Sequence, residues 1–91
     1  MPRVPSPAAR HVGEHIATAR KERGLTQDDL ASLTGIDSSN IRGYESGRAM
    51  VSVQTLVRIA DALRLEPGAL LRGIELGMFT APERDGRRRA G

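Results

Sequence analysis

A chain of 91 residues, 38% apolar and 27% charged, is expected to fold as one soluble globular unit, because chains divide mostly above roughly 150 residues. No apolar run approaches the ~18 residues a membrane helix needs, and no apolar stretch follows the start to make a secretory leader. The absence of cysteine excludes disulfides, thiolate zinc centres and thiol nucleophiles. The net charge of +3 is no argument for nucleic acid, since Val12 to Arg72 holds eight basic and eight acidic residues and the surplus lies in the ends. Any case for DNA must rest on where the charges stand.

Residues 1–7 carry three of the five prolines and are predicted to form a flexible arm. A folded domain is expected over 8–73, and a tail over 74–91 that is first apolar and then Arg-rich. The first helix is predicted from about Ala8: Val12, Ile16 and Ala19 recur at helical spacing, and Gly24 stops it after Arg20-Lys21-Glu22-Arg23. Thr26-Gln27-Asp28-Asp29 predicts a second start. The Thr26 hydroxyl can cap the Asp29 amide while the Asp29 carboxylate reaches back, and Asp28 and Asp29 suit the positive end of the helix dipole. Leu30, Ala31 and Thr34 are expected to face inward, and Gly35 closes this helix.

Only Gly35-Ile36 separates it from a third helix, predicted over 37–45 with Asp37 as its cap and Ile41 and Tyr44 as its buried side; Gly47 ends it. Ser52 is expected to cap a fourth helix whose core stripe is Val53, Leu56, Ala60 and Leu63. Pro67 suits the first turn of a short fifth helix, with Leu70 and Leu71 facing in and Gly73 stopping it. Ile74 to Phe79 is apolar but interrupted by Gly77. The expected fold class is all-α with five helices.

The third helix departs from the usual habit of a solvent face. Instead of long charged side chains it offers Ser38, Ser39, Asn40 and Gly43, which are short, hydrogen-bonding or absent, with Arg42 among them. Glycine in an exposed helix interior costs about 1 kcal/mol against alanine. Such a face lets a helix come close to another surface, and the DNA major groove both admits a helix and presents hydrogen-bonding base edges. The competing reading is that Ser and Asn merely cap and Gly43 relieves packing.

The run Ile16, Arg20, Arg23-Gly24-Leu25-Thr26-Gln27, Leu30-Ala31, Gly35-Ile36, Ile41, Tyr44-Glu45-Ser46-Gly47-Arg48, Leu56, Ile59-Ala60 and Leu63 resembles the lambda-repressor and Cro-like, or XRE-type, helix-turn-helix family over about two-thirds of the chain. The resemblance implies a DNA-binding unit made of the second and third helices, with the third in the major groove. It implies base reading by Ser38, Ser39 and Asn40, with Arg42 reaching guanine or a phosphate where Gly43 replaces a long polar reader. Gln27, Ser46 and Arg48 match positions that contact phosphate. Arg20 and Glu45 match a partly buried salt bridge, which removes Arg20 from any DNA patch. Val51 stands where the family commonly has Pro, so the loop 48–51 is expected to be more exposed.

Two rival readings come from the remaining motifs. His11-Val12-Gly13-Glu14-His15 spells H-x-x-E-H, an inverted zinc-protease pattern, but Gly13 interrupts it and no further His or Cys exists as a third ligand. No metal site and no catalytic residue are therefore assigned, incidental metal capture aside. Alternatively the fold serves as an antitoxin or adaptor that docks a protein partner, with Ile74, Leu76, Met78 and Phe79 as the docking strip. The same strip could fold back on the core or join two copies; one helix in one groove makes few contacts, and a homodimer matches two half-sites. Arg87-Arg88-Arg89 and the Arg3 arm are candidates for non-specific phosphate and minor-groove contacts.

The sequence reading is a homodimeric, sequence-specific transcriptional regulator of cytoplasmic, nucleoid-associated location. Its expected partner is double-stranded DNA, with no cofactor, no small-molecule ligand, no membrane contact and no ligand-binding domain.

Overall fold

A computed structural model describes residues 6–79; Arg3 and the Arg87–Arg89 run lie outside them. Four α-helices follow in order: α1 (Pro7–Glu22), α2 (Gln27–Thr34), α3 (Ser38–Ser46) and α4 (Val53–Ala62). Two 3-10 turns, Pro67–Leu71 and Leu76–Phe79, come after them, and the described residues include no strand. The expected fifth helix is thus a 3-10 turn. Five residues that open on Pro67-Gly68 and run soon into Gly73, at φ +84°, leave no room for an α-helical ladder.

Local chemistry accounts for most of the starts. Ser6 Oγ accepts the Ala9 amide at 3.2 Å and Pro7 occupies the first turn, so α1 begins one residue before Ala8. At α2 the reciprocal cap is complete: Asp29 N donates to Thr26 Oγ1 at 2.9 Å and Thr26 N to Asp29 Oδ2 at 2.8 Å. Ser52 Oγ accepts the Thr55 amide at 3.1 Å and opens α4. Asp37 is the exception. It precedes α3, but its side chain caps nothing; Oδ2 instead accepts the Ser39 hydroxyl at 2.9 Å.

The core joins Val12, Ile16 and Ala19 of α1 to Leu30, Ile41, Leu56, Ile59, Ala60, Leu63 and Leu70. Two residues expected inside are not. Val53 is 79% exposed, because α4 packs against α2 and the first 3-10 turn and neither covers its first residue. Leu71 is 44% exposed whereas Leu70 is buried; adjacent residues of a turn with three residues per revolution point to different sides.

The closest packing is between α1 and α3, and it depends on Gly13. A Cβ there would collide with the backbone carbonyls of Tyr44 and Glu45. The residue that interrupts the H-x-x-E-H pattern is what lets the two helices touch.

A polar face and a basic groove around helix α3

α2 and α3 are held by a turn tied down by hydrogen bonds of Thr34, Gly35 and Ile36. Gly35 closes α2 at φ +74°, donating its amide to Ala31 O. Buried Thr34 donates its hydroxyl to Leu30 O at 2.7 Å and accepts the Ile36 amide at 3.2 Å, while Ile36 packs on the core. The exit direction of α3 is therefore set by short-range bonds, with Ile41 fully buried as its inward anchor.

Opposite Ile41, α3 turns Ser39, Asn40 and Arg42 outward, with Ser38 half-buried beside them. Gly43 does not belong to this outward face. It is buried, an added Cβ would meet Arg48 Nη2 at 3.7 Å and Ala49 Cβ at 4.0 Å, and its carbonyl accepts the amides of Arg48 and Ala49 at 2.9 and 3.2 Å. The chain after α3 folds over Gly43, which spacing within one helix does not reveal. The short polar face is real from Ser38 to Arg42 and ends there.

One end of α3 is bolted to α1. Arg20 Nε donates to Glu45 Oε2 at 2.7 Å and Nη2 to Glu45 Oε1 at 2.9 Å, a two-bond grip, while Nη1 donates to Leu25 O at 2.8 Å. The side chains are 10% and 6% exposed. The hydrogen bond that Arg20 donates to Glu45 raises the Arg20 pKa above its already high ordinary value, against the opposing effect of burial. Gln27 Nε2 adds a bond to Glu45 Oε1 at 3.0 Å, so the amide matched to phosphate contact also steadies the bridge.

Beside the bridge lies an open groove of about 510 Å³, lined by Ala17, Arg20, Lys21, Gln27, Arg42, Glu45, Ser46 and Arg48. Because Arg20 satisfies Glu45, the charge left facing the groove is that of Lys21, Arg42 and Arg48. Ser46 Oγ donates to Gly43 O at 3.1 Å and accepts the Arg48 amide at 3.3 Å, positioning the start of the Arg48 turn. Gln27, Arg42, Ser46 and Arg48 thus share one concavity adjoining the polar face. Lys21 was missed by the sequence reading, where it is one of a charged run; its place at the end of an α1 that crosses α3 is a tertiary fact. Such an arrangement can hold anionic backbone groups while the polar face meets hydrogen-bonding edges.

The remaining sequence candidates lie elsewhere. His11 and His15 meet on the side of α1 that packs against the first 3-10 turn; exposed Glu14 makes no bond with them. Among the described residues no three His, Cys, Asp or Glu side chains gather. In the 74–79 strip Ile74 packs on the core and Met78 is half-buried, whereas Leu76 and Phe79 are 83% and 50% exposed. In the loop 48–51 Arg48, Ala49 and Met50 are exposed and Val51 leans on the core.

Comparison with known proteins places this geometry in a lineage. Residues 16–70 match a helix-turn-helix family model. The chain is 40% identical over 67 residues to multiprotein-bridging factor 1 of Debaryomyces hansenii, covering 74% of this chain and 42% of that one. It spans about half the length, or less, of the curated relatives it matches first. Among solved structures, the restriction-modification controller protein C.AhdI from Aeromonas hydrophila superposes with a TM-score of 0.67 at 35% identity, over 68% of this chain and 94% of that one. The P22 c2 repressor in complex with a synthetic operator superposes with a TM-score of 0.64 at 27% identity, over 69% and 96%.

Proposed function

The chain belongs to the helix-turn-helix family, and from that membership we propose that it is a sequence-specific DNA-binding regulator of transcription. One observation carries the reading: the outward strip Ser38–Arg42 of α3, short enough in side chain for close approach, stands beside a groove whose unneutralised charge is basic. The solved complex of the P22 c2 repressor with its operator supports the same use of the fold here.

In this proposal α3 enters the major groove. Ser38 and Ser39 read base edges from its first turn, Ser39 exchanging its bond to Asp37 for one to a base. Asn40 and Arg42 extend the reading, since Asn pairs with adenine and Arg with guanine. Gln27, Ser46, Arg48 and Lys21 hold the flanking phosphates and set register without reading sequence. Two copies on a palindromic site double the contacts that one short helix can make, and Leu76 and Phe79 are surfaces suited to that pairing. The action is occupancy of DNA, with neither turnover nor cofactor, in a cytoplasmic, nucleoid-associated location. No helix of the described residues is long and apolar enough to cross a membrane.

Selection of bound sequences from a random DNA pool tests the reading. A two-fold-symmetric motif is expected; no enrichment would overturn it in favour of the protein-docking alternative, which the name of the bridging-factor relative keeps in view.

A further inference from the structure

Two histidines that DNA recognition leaves idle converge on one backbone oxygen. His11 and His15 are one helical turn apart on α1, so both rings leave the same face. Their Nε2 atoms are 3.1 Å from each other and lie 2.6 and 2.8 Å from the carbonyl oxygen of Arg72. The rings meet edge to face at 4.6 Å. Arg72 comes from the far end of the fold, carried there by the packing of the first 3-10 turn on α1. The next residue, Gly73, is part of the arrangement. A Cβ on it would stand 3.1 Å from His11 Nε2 and 3.2 Å from His11 Cε1, tighter than ordinary contact, so the absence of a side chain keeps the space open.

Hydrogen bonding alone serves this cluster poorly. The three distances close a triangle whose angle at the carbonyl oxygen is about 70°, so two N–H groups directed at that oxygen crowd each other. If one ring donates to the other instead, the accepting ring aims no hydrogen at the carbonyl and lone pairs face across the shortest gaps. A cation removes the conflict, because two neutral imidazoles and a carbonyl can each offer it a lone pair. For ligands about 2.0–2.1 Å from a metal and near right angles apart, as in the tetragonal sets of nickel and copper, neighbouring ligands stand about 2.9 Å from each other. That value lies within the observed span.

We propose that His11 Nε2, His15 Nε2 and the Arg72 carbonyl form one face of a binding site for a divalent first-row transition metal of the nickel or copper type, to which imidazole and a near-right-angle ligand set are suited. Both rings are partly exposed, and water completes the shell. Bound metal ties the segment that begins at Arg72 to α1, and by linkage it stabilises the fold. The site is independent of the DNA-binding face.

Calorimetric titration of the full chain with Ni²⁺ and with Cu²⁺, alongside thermal melts with and without metal, tests it. One metal per chain and a higher Tm at saturation are expected. His11→Gln and His15→Gln each retain an N–H for the Arg72 carbonyl but remove a strong ligand, and each is expected to weaken affinity by about tenfold or more while the metal-free melt still shows a folded chain. Gly73→Ala, which crowds His11, is expected to weaken it too. Absence of binding by the wild type, or equal binding by the double Gln variant, would overturn the site. A stoichiometry of one metal per two chains would overturn its closure by Arg72.

Discussion

Arg20 holds Glu45 through two hydrogen bonds of 2.7 and 2.9 Å across the contact between α1 and α3. With the third bond, to Leu25 O, and the Gln27 amide on the same carboxylate, one ion pair joins α1, the link to α2, the start of α2 and the end of α3. Charge alone would place Arg20 on DNA. Its donors are instead committed to the interior, where they fix how α3 stands on the rest of the fold.

Removing either partner leaves a nearly buried charge alone, at a cost of about 3–5 kcal/mol. For a domain of this size Arg20→Ala or Glu45→Ala is therefore expected to lower Tm by more than about 10 °C, followed by circular dichroism. Gln27→Ala, which removes only an auxiliary bond, is expected to cost about 1 kcal/mol. A shift of one or two degrees in the Arg20 variant would contradict the role given to the pair.

Two helical glycines should respond oppositely to alanine. At Gly13 the new methyl meets the Tyr44 and Glu45 carbonyls of α3, and pushing the helices apart is expected to cost about 1–3 kcal/mol or more. At Gly43 it meets only Arg48 Nη2 and Ala49 Cβ at ordinary contact distance, so the helical preference for alanine is expected to raise stability by up to about 1 kcal/mol. Urea unfolding of both variants distinguishes them, and destabilisation at Gly43 would restore the view that a bare backbone is needed there.

Acid should weaken the domain partly through Asp29. Its bonds from the Thr26 amide and then the Thr26 hydroxyl hold its carboxyl below the usual aspartate value, which is about 3.9 in the unfolded chain. A group lowered on folding contributes stability that is present above the unfolded pKa and lost as pH falls through the folded one. Melts of wild type and Asp29→Asn are expected to differ most at neutral pH and to converge below about pH 4. A gap that persists undiminished in acid would rule out this cause.

On DNA, side chains of the polar face and of the groove should separate by kind of effect. Ser39→Ala is expected to flatten sequence preference, since a base edge loses its partner. Lys21→Ala and Arg48→Ala are expected to weaken all sequences alike and to reduce the salt dependence by about one counterion each. Fluorescence anisotropy on specific and scrambled duplexes at several salt concentrations reads both. A Lys21 variant with unchanged salt dependence would remove it from the interface.

What the sequence determined alone was what local chemistry controls. The Thr26–Asp29 cap, the Ser52 cap and the stops at Gly35 and Gly47 depend on residues within four positions of each other, and so they were legible. The spacing of Ile16, Leu30, Ile41, Leu56 and Leu63 likewise placed the core, because an apolar stripe must be buried wherever its partners come from. Lambda-repressor-like resemblance supplied the Arg20–Glu45 pairing, which periodicity does not contain. Only the tertiary structure decided the rest. Val53 was left uncovered, and Lys21 joined the groove. His11 and His15 met the Arg72 carbonyl for the same reason: each outcome depends on which distant element arrives at a given face, and pattern within a single helix carries no information about that arrival.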